Sequence, residues 1–178
     1  MNKIKILAIS GSLSKKSSNA QVLQLIAQLF DGDVRFILSD SIRELPHFNP
    51  ELDIDPAPEA VKLFRQQLRD ADAVLVCTPE YAFGVPGALK NALDWTVSSG
   101  EFVNKPLALI TASLSGEKAQ AALLQTFTAL SARITAETTL LLSFIRSKLD
   151  EHGKFKNRPD EEAVINVIDS LIKVAVTR

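Results

Sequence analysis

The chain has 178 residues, enough for one core and within the usual single-domain range of about 100 to 200 residues. A formal net charge of -1 gives no global attraction to nucleic acid or to an anionic membrane, so neither is expected as a partner and any anion site must be local. The one cysteine, Cys77, excludes a disulfide framework within the chain. No apolar run reaches the roughly 18 residues of a spanning helix, and the amino-terminal run is too short for a signal peptide, so residues 1–178 are expected to form a single cytoplasmic domain.

Residues 3–10 are rich in Ile and Leu and end at turn residues, as suits a strand buried on both faces of a sheet. Val22, Leu25, Ile26, Leu29 and Phe30 then follow helical spacing, with Asn19 upstream as the expected cap. Residues 33–38 form a second, less apolar strand candidate. Residues 39–57 carry Pro46, Pro50 and Pro56 with few periodic apolar positions and read as a long surface loop. A helix over 58–69 aligns Val61, Phe64 and Leu68; a strand over 72–78 follows, and a helix over 86–97 starts on Pro86 and turns Leu89, Ala92 and Leu93 inward.

The pattern continues with a strand over 106–112 and a helix over 117–130 carrying Ala119, Ala122, Leu123, Phe127 and Leu130 on one face. A fifth strand is expected within 133–142, a loop over 143–157, and a last helix over 161–176 after Arg158-Pro159-Asp160, with Val164, Ile165, Ile168, Leu171 and Ile172 on one face. Strands and helices alternate five times. That predicts an α/β fold with a doubly wound, five-stranded parallel sheet in a three-layer α/β/α sandwich.

Two loops follow candidate parallel strands, and in open α/β sheets such loops border the ligand crevice. The first, Ser10-Gly11-Ser12-Leu13-Ser14-Lys15-Lys16-Ser17-Ser18-Asn19, opens a helix whose unpaired N–H groups and dipole attract an anion. Gly11 permits a close turn, while Ser12, Ser14, Ser17, Ser18 and Asn19 supply donors and Lys15 and Lys16 supply charge. No Gly-Lys-Ser/Thr closes it, so it is not a Walker loop, nor does it carry Gly-x-Gly-x-x-Gly. Composition alone favours a solvated turn and cap; the position at the end of the first parallel strand makes an anion site an equally good account.

The second loop begins Thr78-Pro79-Glu80-Tyr81-Ala82-Phe83-Gly84-Val85-Pro86-Gly87 and runs into Ala88-Leu89-Lys90-Asn91-Ala92-Leu93-Asp94-Trp95. Its prolines stiffen the backbone, Gly84 and Gly87 relax it, and Tyr81 and Phe83 offer flat apolar surface that suits a planar ring or, alternatively, a plug or subunit contact. Glu80 reads as a structural or subunit-contact residue ahead of a catalytic acid. His47 and His152 fall in loops, without the neighbouring ligands a metal site needs.

These two motifs resemble the NADPH-dependent FMN reductase family of flavodoxin-like proteins, which includes quinone, chromate and azo-dye reductases. The family pattern Gly-Ser-Leu-Arg-x-x-Ser-x-Asn matches residues 11–19 except that Ser14 stands for Arg. The pattern Thr-Pro-Glu-Tyr-Asn-x-x-x-Pro-Gly-x-Leu-Lys-Asn-Ala-x-Asp-Trp matches residues 78–95 except that Ala82 stands for Asn. The third family loop, Ser-Ala-Ser-Pro-Gly, is matched in part by residues 111–116 and contributes Ser113.

The resemblance implies that Ser12, Ser14, Ser17 and Asn19 hold the FMN phosphate, with Lys15, Lys16 and Ser18 beside them. It also implies that Pro79, Glu80, Tyr81, Ala82 and Phe83 line the isoalloxazine. It implies hydride transfer from NADPH or NADH to FMN and on to a quinone, flavin, azo or metal-oxyanion acceptor, by a homodimer or homotetramer, with no side-chain catalyst required. Two alternatives stay open: a flavodoxin-type electron carrier, which the charge of -1 disfavours, and a flavin-free scaffold, which Ser14 and Ala82 allow.

Overall fold

The structure, a computed structural model, describes residues 3–30, 32 and 34–177. Five strands, β1 (Ile4–Ser10), β2 (Val34–Ser39), β3 (Ala73–Thr78), β4 (Leu107–Ala112) and β5 (Thr139–Leu142), form one sheet in the order β2-β1-β3-β4-β5. Every pairing is parallel, with Ile6 opposite Phe36 and Ala73, Leu75 opposite Ala108, and Ile110 opposite Leu140. β3 and β4 are buried at every residue, as expected for central strands covered on both faces. This is the flavodoxin-like arrangement, and all five strands deliver their carboxyl ends to one edge. Asp33, the expected first residue of the second strand, lies outside the described residues.

The helices α1 (Ser18–Leu29), α2 (Glu59–Asp70), α3 (Gly87–Asp94), α4 (Glu117–Ala129), α5 (Ile145–Lys148) and α6 (Arg158–Val176) complete the layers. α1 and α6 cover one face of the sheet through Val22, Ile26, Val164 and Ile168 against Ile6, Leu75 and Ile110. α2, α3 and α4 cover the other through Phe64, Leu68, Leu89, Leu93 and Phe127 against Leu7, Val76 and Leu109. Side chains alternate between the two cores because successive residues of a strand point to opposite faces.

Four expectations are corrected. Ser17, not Asn19, caps α1, its hydroxyl accepting from the Ala20 N–H at 3.1 Å. Asn19 lies inside the helix, where its amide donates to the Ala112 carbonyl at 3.2 Å and its oxygen accepts from the Cys77 thiol at 3.3 Å. A buried amide is better placed bonding two strands than facing water. Leu29, expected inward, is 41% exposed, because it falls at the fraying end of α1. α6 begins three residues early, at Arg158, because the Asn157 side chain accepts from the Asp160 N–H.

The fourth correction concerns residues 39–57, which form a packed strap over the edge of α2 and α3. Ile42, Leu45 and Ala57 are buried in it. Trp95 is fully buried beneath, its indole N–H donating to the Pro46 carbonyl at 2.9 Å and its ring meeting Phe48 edge-on at 5.1 Å. Asp53 pairs with Arg65 at 2.6 Å, and Arg65 also donates to the Trp95 carbonyl. The strap spends its apolar residues on tertiary contacts, so no helical or strand period marks them.

Candidate cofactor cleft

At the carboxyl edge of the sheet, the turn after β1 folds against the end of β3. The Gly11 N–H donates to the Cys77 carbonyl at 2.8 Å. A Cβ at Gly11 would sit 2.1 Å from the Thr78 hydroxyl oxygen and 2.6 Å from Thr78 Cβ, so only glycine allows this approach. Immediately after it, the Ser12 and Tyr81 hydroxyls lie 3.3 Å apart and join the two loops.

The loop after β3 is held to the loop after β4. The Glu80 N–H donates to Ser113 Oγ at 3.0 Å. The Glu80 carboxylate accepts from the Ser115 hydroxyl at 2.8 Å, the Gly116 N–H at 3.3 Å and the Ala119 N–H at 2.9 Å, closing the first turn of α4. Partial burial opposes its ionisation, but these donors and the Lys118 N–H outweigh it and hold the carboxyl below its ordinary range. Glu80 is therefore a helix cap, as its structural reading anticipates. Gly116 sits at φ 102, and a Cβ there would meet Leu141 and Thr111 at under 3 Å.

Residues 81–84 make a two-residue hairpin turn in which Tyr81 and Gly84 exchange N–H···O bonds at 3.0 and 2.9 Å. The left-handed positions are filled by Ala82 (φ 49) and Phe83 (φ 59), and not by the glycines expected to relax the loop. Such a turn normally selects Asn or Gly. Non-glycine residues persist in that region only where the surroundings fix them.

Together these loops border a cavity of about 820 Å³, inside the usual range for small-molecule sites. Ser12, Ser14, Ser17, Ser18, Asn19, Pro79, Glu80, Tyr81 and Ser113 all line it. Lys15, Ala82 and Phe83 do not: Lys15 lies 3.7 Å from Asp40 at an exposed site, and Lys16 faces the cavity in its place. Phe83 is 79% exposed on the hairpin tip.

The rest of the lining comes from a segment whose composition predicts a loop. Phe144, Ile145, Arg146, Ser147, Leu149 and Asp150 line the same cavity. The Phe144 N–H donates to the Leu114 carbonyl at 3.0 Å and the Ile145 N–H to the Ser113 carbonyl at 3.1 Å, docking α5 on the β4 exit. The signal was topological: a segment leaving a parallel strand opens on the same edge as its neighbours, whatever its composition.

The donors and shape suit a phosphorylated planar cofactor. Ser12, Ser14 and Ser17 stand just before or at the start of α1, where free N–H groups and the helix dipole favour an anion, and the cleft beside them runs past Pro79 and Tyr81. Among the described residues, no helix is long and apolar enough to cross a membrane.

A flavodoxin-like sheet with a serine-lined helix start on one side of its crevice and an aromatic loop on the other defines a flavin-type oxidoreductase. Residues 4–146 match the family described as NADPH-dependent FMN reductase, and the chain belongs to that family. It is 34% identical to an NAD(P)H-dependent FMN reductase of Pseudomonas aeruginosa, over 94% of this chain and 93% of that one. It is 30% identical to a quinone reductase of Pseudomonas putida, over 95% of each. The flavoenzyme NAD(P)H:(acceptor) oxidoreductase of Paracoccus denitrificans superposes with a TM-score of 0.78 at 26% identity, over 97% of both chains. The chain is an oxidoreductase whose cofactors are FMN and NAD(P)H.

Proposed function

We propose that residues 1–178 act as one FMN-binding domain of a cytoplasmic homo-oligomer that uses NADPH or NADH to reduce a small-molecule acceptor, with quinones ahead of free flavins, azo dyes or metal oxyanions. The observation that carries this reading is the meeting of the serine turn with the β3 and β4 exit loops in one cavity. The quinone preference draws on the quinone reductase relative and on the apolar surface of Tyr81 and Leu114, 55% and 74% exposed beside the cleft.

Ser12, Ser14 and Ser17, with the first N–H groups of α1, hold the phosphate. Asn19 fixes the position of that helix start from within, because its side chain is committed to Ala112 and Cys77. Backbone groups of residues 79–81 and the Ser113 region orient the ring, and Glu80 keeps both loops in register through α4. The chemistry FMN supplies when bound is two-electron transfer between nicotinamide and acceptor. The protein's share is binding, alignment and exclusion of water. Phe83 and Val97, both exposed, are the apolar surface that assembly would cover.

The test is reconstitution of the purified protein with FMN, removal of free flavin, and anaerobic addition of NADPH and NADH in turn. The retained yellow absorbance is expected to bleach and to return on addition of a benzoquinone. Retained flavin that neither nucleotide bleaches would overturn the enzyme reading, and failure to retain any flavin would favour the scaffold.

A further inference from the structure

We propose that Arg146, on the α5 segment of the same cavity lining, supplies the guanidinium that the phosphate loop lacks at Ser14. This inference rests on the FMN reading above and adds a binding residue to it.

A phosphate monoester brings close to two negative charges at neutral pH. The serine turn answers it with neutral donors and the flexible Lys16, with no guanidinium, and a charge-assisted bond is about twice as strong as a neutral one. A cation is therefore wanted near the start of α1. Lys15 lies beside Asp40, outside the cavity lining. Arg43 donates to the Leu13 carbonyl, supporting the turn from outside. Lys148 is paired with Asp160 at 2.7 Å. Lys16 and Arg146 are the cationic residues that line the cavity.

Of these two, Arg146 has the better-defined position. Its backbone belongs to a helical turn fixed by the Phe144 and Ile145 N–H groups on the Leu114 and Ser113 carbonyls, and by Ser147 N–H on Phe144 at 2.9 Å. Ile145 is buried and anchors the turn, while Leu149 is buried one turn later in the core shared with α1. The segment is therefore held by the same core that packs α1. Among the described residues, the Arg146 guanidinium makes no ion pair and donates no hydrogen bond, so its five N–H groups have no internal use. The neighbouring acid, Asp150, also lines the cavity but is not paired with Arg146; its Oδ1 accepts from the His152 and Lys154 N–H groups at 2.9 and 2.8 Å. A guanidinium presents a planar fork that fits two phosphate oxygens, which a lysine cannot copy.

The experiment titrates apoprotein with FMN and, separately, with riboflavin, which carries the same ring and ribityl chain without phosphate. Binding is read by quenching of flavin fluorescence at low and high salt. Arg146→Ala is expected to weaken FMN binding about tenfold or more, to leave riboflavin binding unchanged, and to flatten the salt dependence of the FMN affinity. Adding Ser14→Arg to that variant is expected to restore FMN affinity, since it returns a guanidinium to the phosphate loop. Arg146→Lys is expected to recover only part of it.

Equal loss of FMN and riboflavin affinity would show that Arg146 merely supports the fold of α5, and would overturn the proposal. Unchanged FMN affinity with a raised KM for NADPH would assign the residue to the nucleotide instead and overturn it as well. A native protein that binds neither flavin would bring down the FMN reading itself, an outcome distinct from native FMN binding that is indifferent to Arg146.

Discussion

The Glu80 carboxylate, at the exit of β3, accepts a 2.9 Å hydrogen bond from the Ala119 N–H in the first turn of α4. One residue of the candidate ring-binding loop is thereby the cap of a helix that packs behind the sheet. The geometry of the cleft and the stability of α4 are tied to the same side chain.

Removing that carboxylate leaves the Lys118 and Ala119 N–H groups of α4, and the Gly116 N–H before it, without this acceptor. Glu80→Ala is expected to lower stability by about 1–2 kcal/mol, the usual cost of losing a cap, measured as a shift in urea midpoint. The pH dependence has a fixed sign. Because the folded carboxyl titrates below its unfolded value, its stabilisation is fully present above the unfolded pKa of about 4.3 and is lost as pH falls through the depressed folded value. Glu80→Gln is expected to flatten the acid limb of the stability curve below about pH 4.3, and an unchanged limb would refute the assignment.

At the hairpin tip, Ala82 occupies a left-handed position at φ 49 and is exposed. Asparagine tolerates that region far better than alanine. Ala82→Asn is expected to stabilise the protein by about 0.5–1 kcal/mol without disturbing a core contact. A lower denaturation midpoint would mean that the side chain, not the backbone, decides this position.

The close approach of Gly11 to Thr78 makes the opposite forecast for Gly11→Ala. The added methyl would overlap Thr78, whose backbone belongs to a fully buried strand. A loss of about 1–3 kcal/mol is expected, the range for overpacking, read as a lowered urea midpoint. Equal stability of the variant and the native protein would show that the turn after β1 can lift off β3.

Burial pushes the Cys77 thiol well above its ordinary pKa, and the residue has no exposed surface. The thiol is expected to ignore Ellman's reagent in the native protein and to react stoichiometrically once unfolded in urea. Rapid labelling of folded protein would contradict the packing of Asn19 over it.

The sheet was legible because β1, β3 and β4 are short apolar runs closed by turn residues, and burial on both faces forces that composition. The serine turn and the Tyr81 loop were legible because their motifs are long and follow predicted strands. Other features had no local pattern to read. Asn19 looks like a cap in sequence, yet the Ser17 hydroxyl reaches the Ala20 N–H first and the amide goes inward. Arg146 and Phe144 gave no signal because α5 is one turn long, too short to show a period. Residues 39–57 looked solvated because their buried side chains are spaced by the contours of α2 and α3 instead of by their own backbone.

The burial of Trp95 under that strap has a spectroscopic consequence. It is the one tryptophan in the chain, and its indole touches Pro46 and Phe48 on the α3 side of the sheet. Its emission is thus an intrinsic reporter for undocking of the strap. A red shift that precedes loss of the far-ultraviolet helical signal would identify residues 39–57 as a separate cooperative unit, opening while the rest of the sheet stays intact.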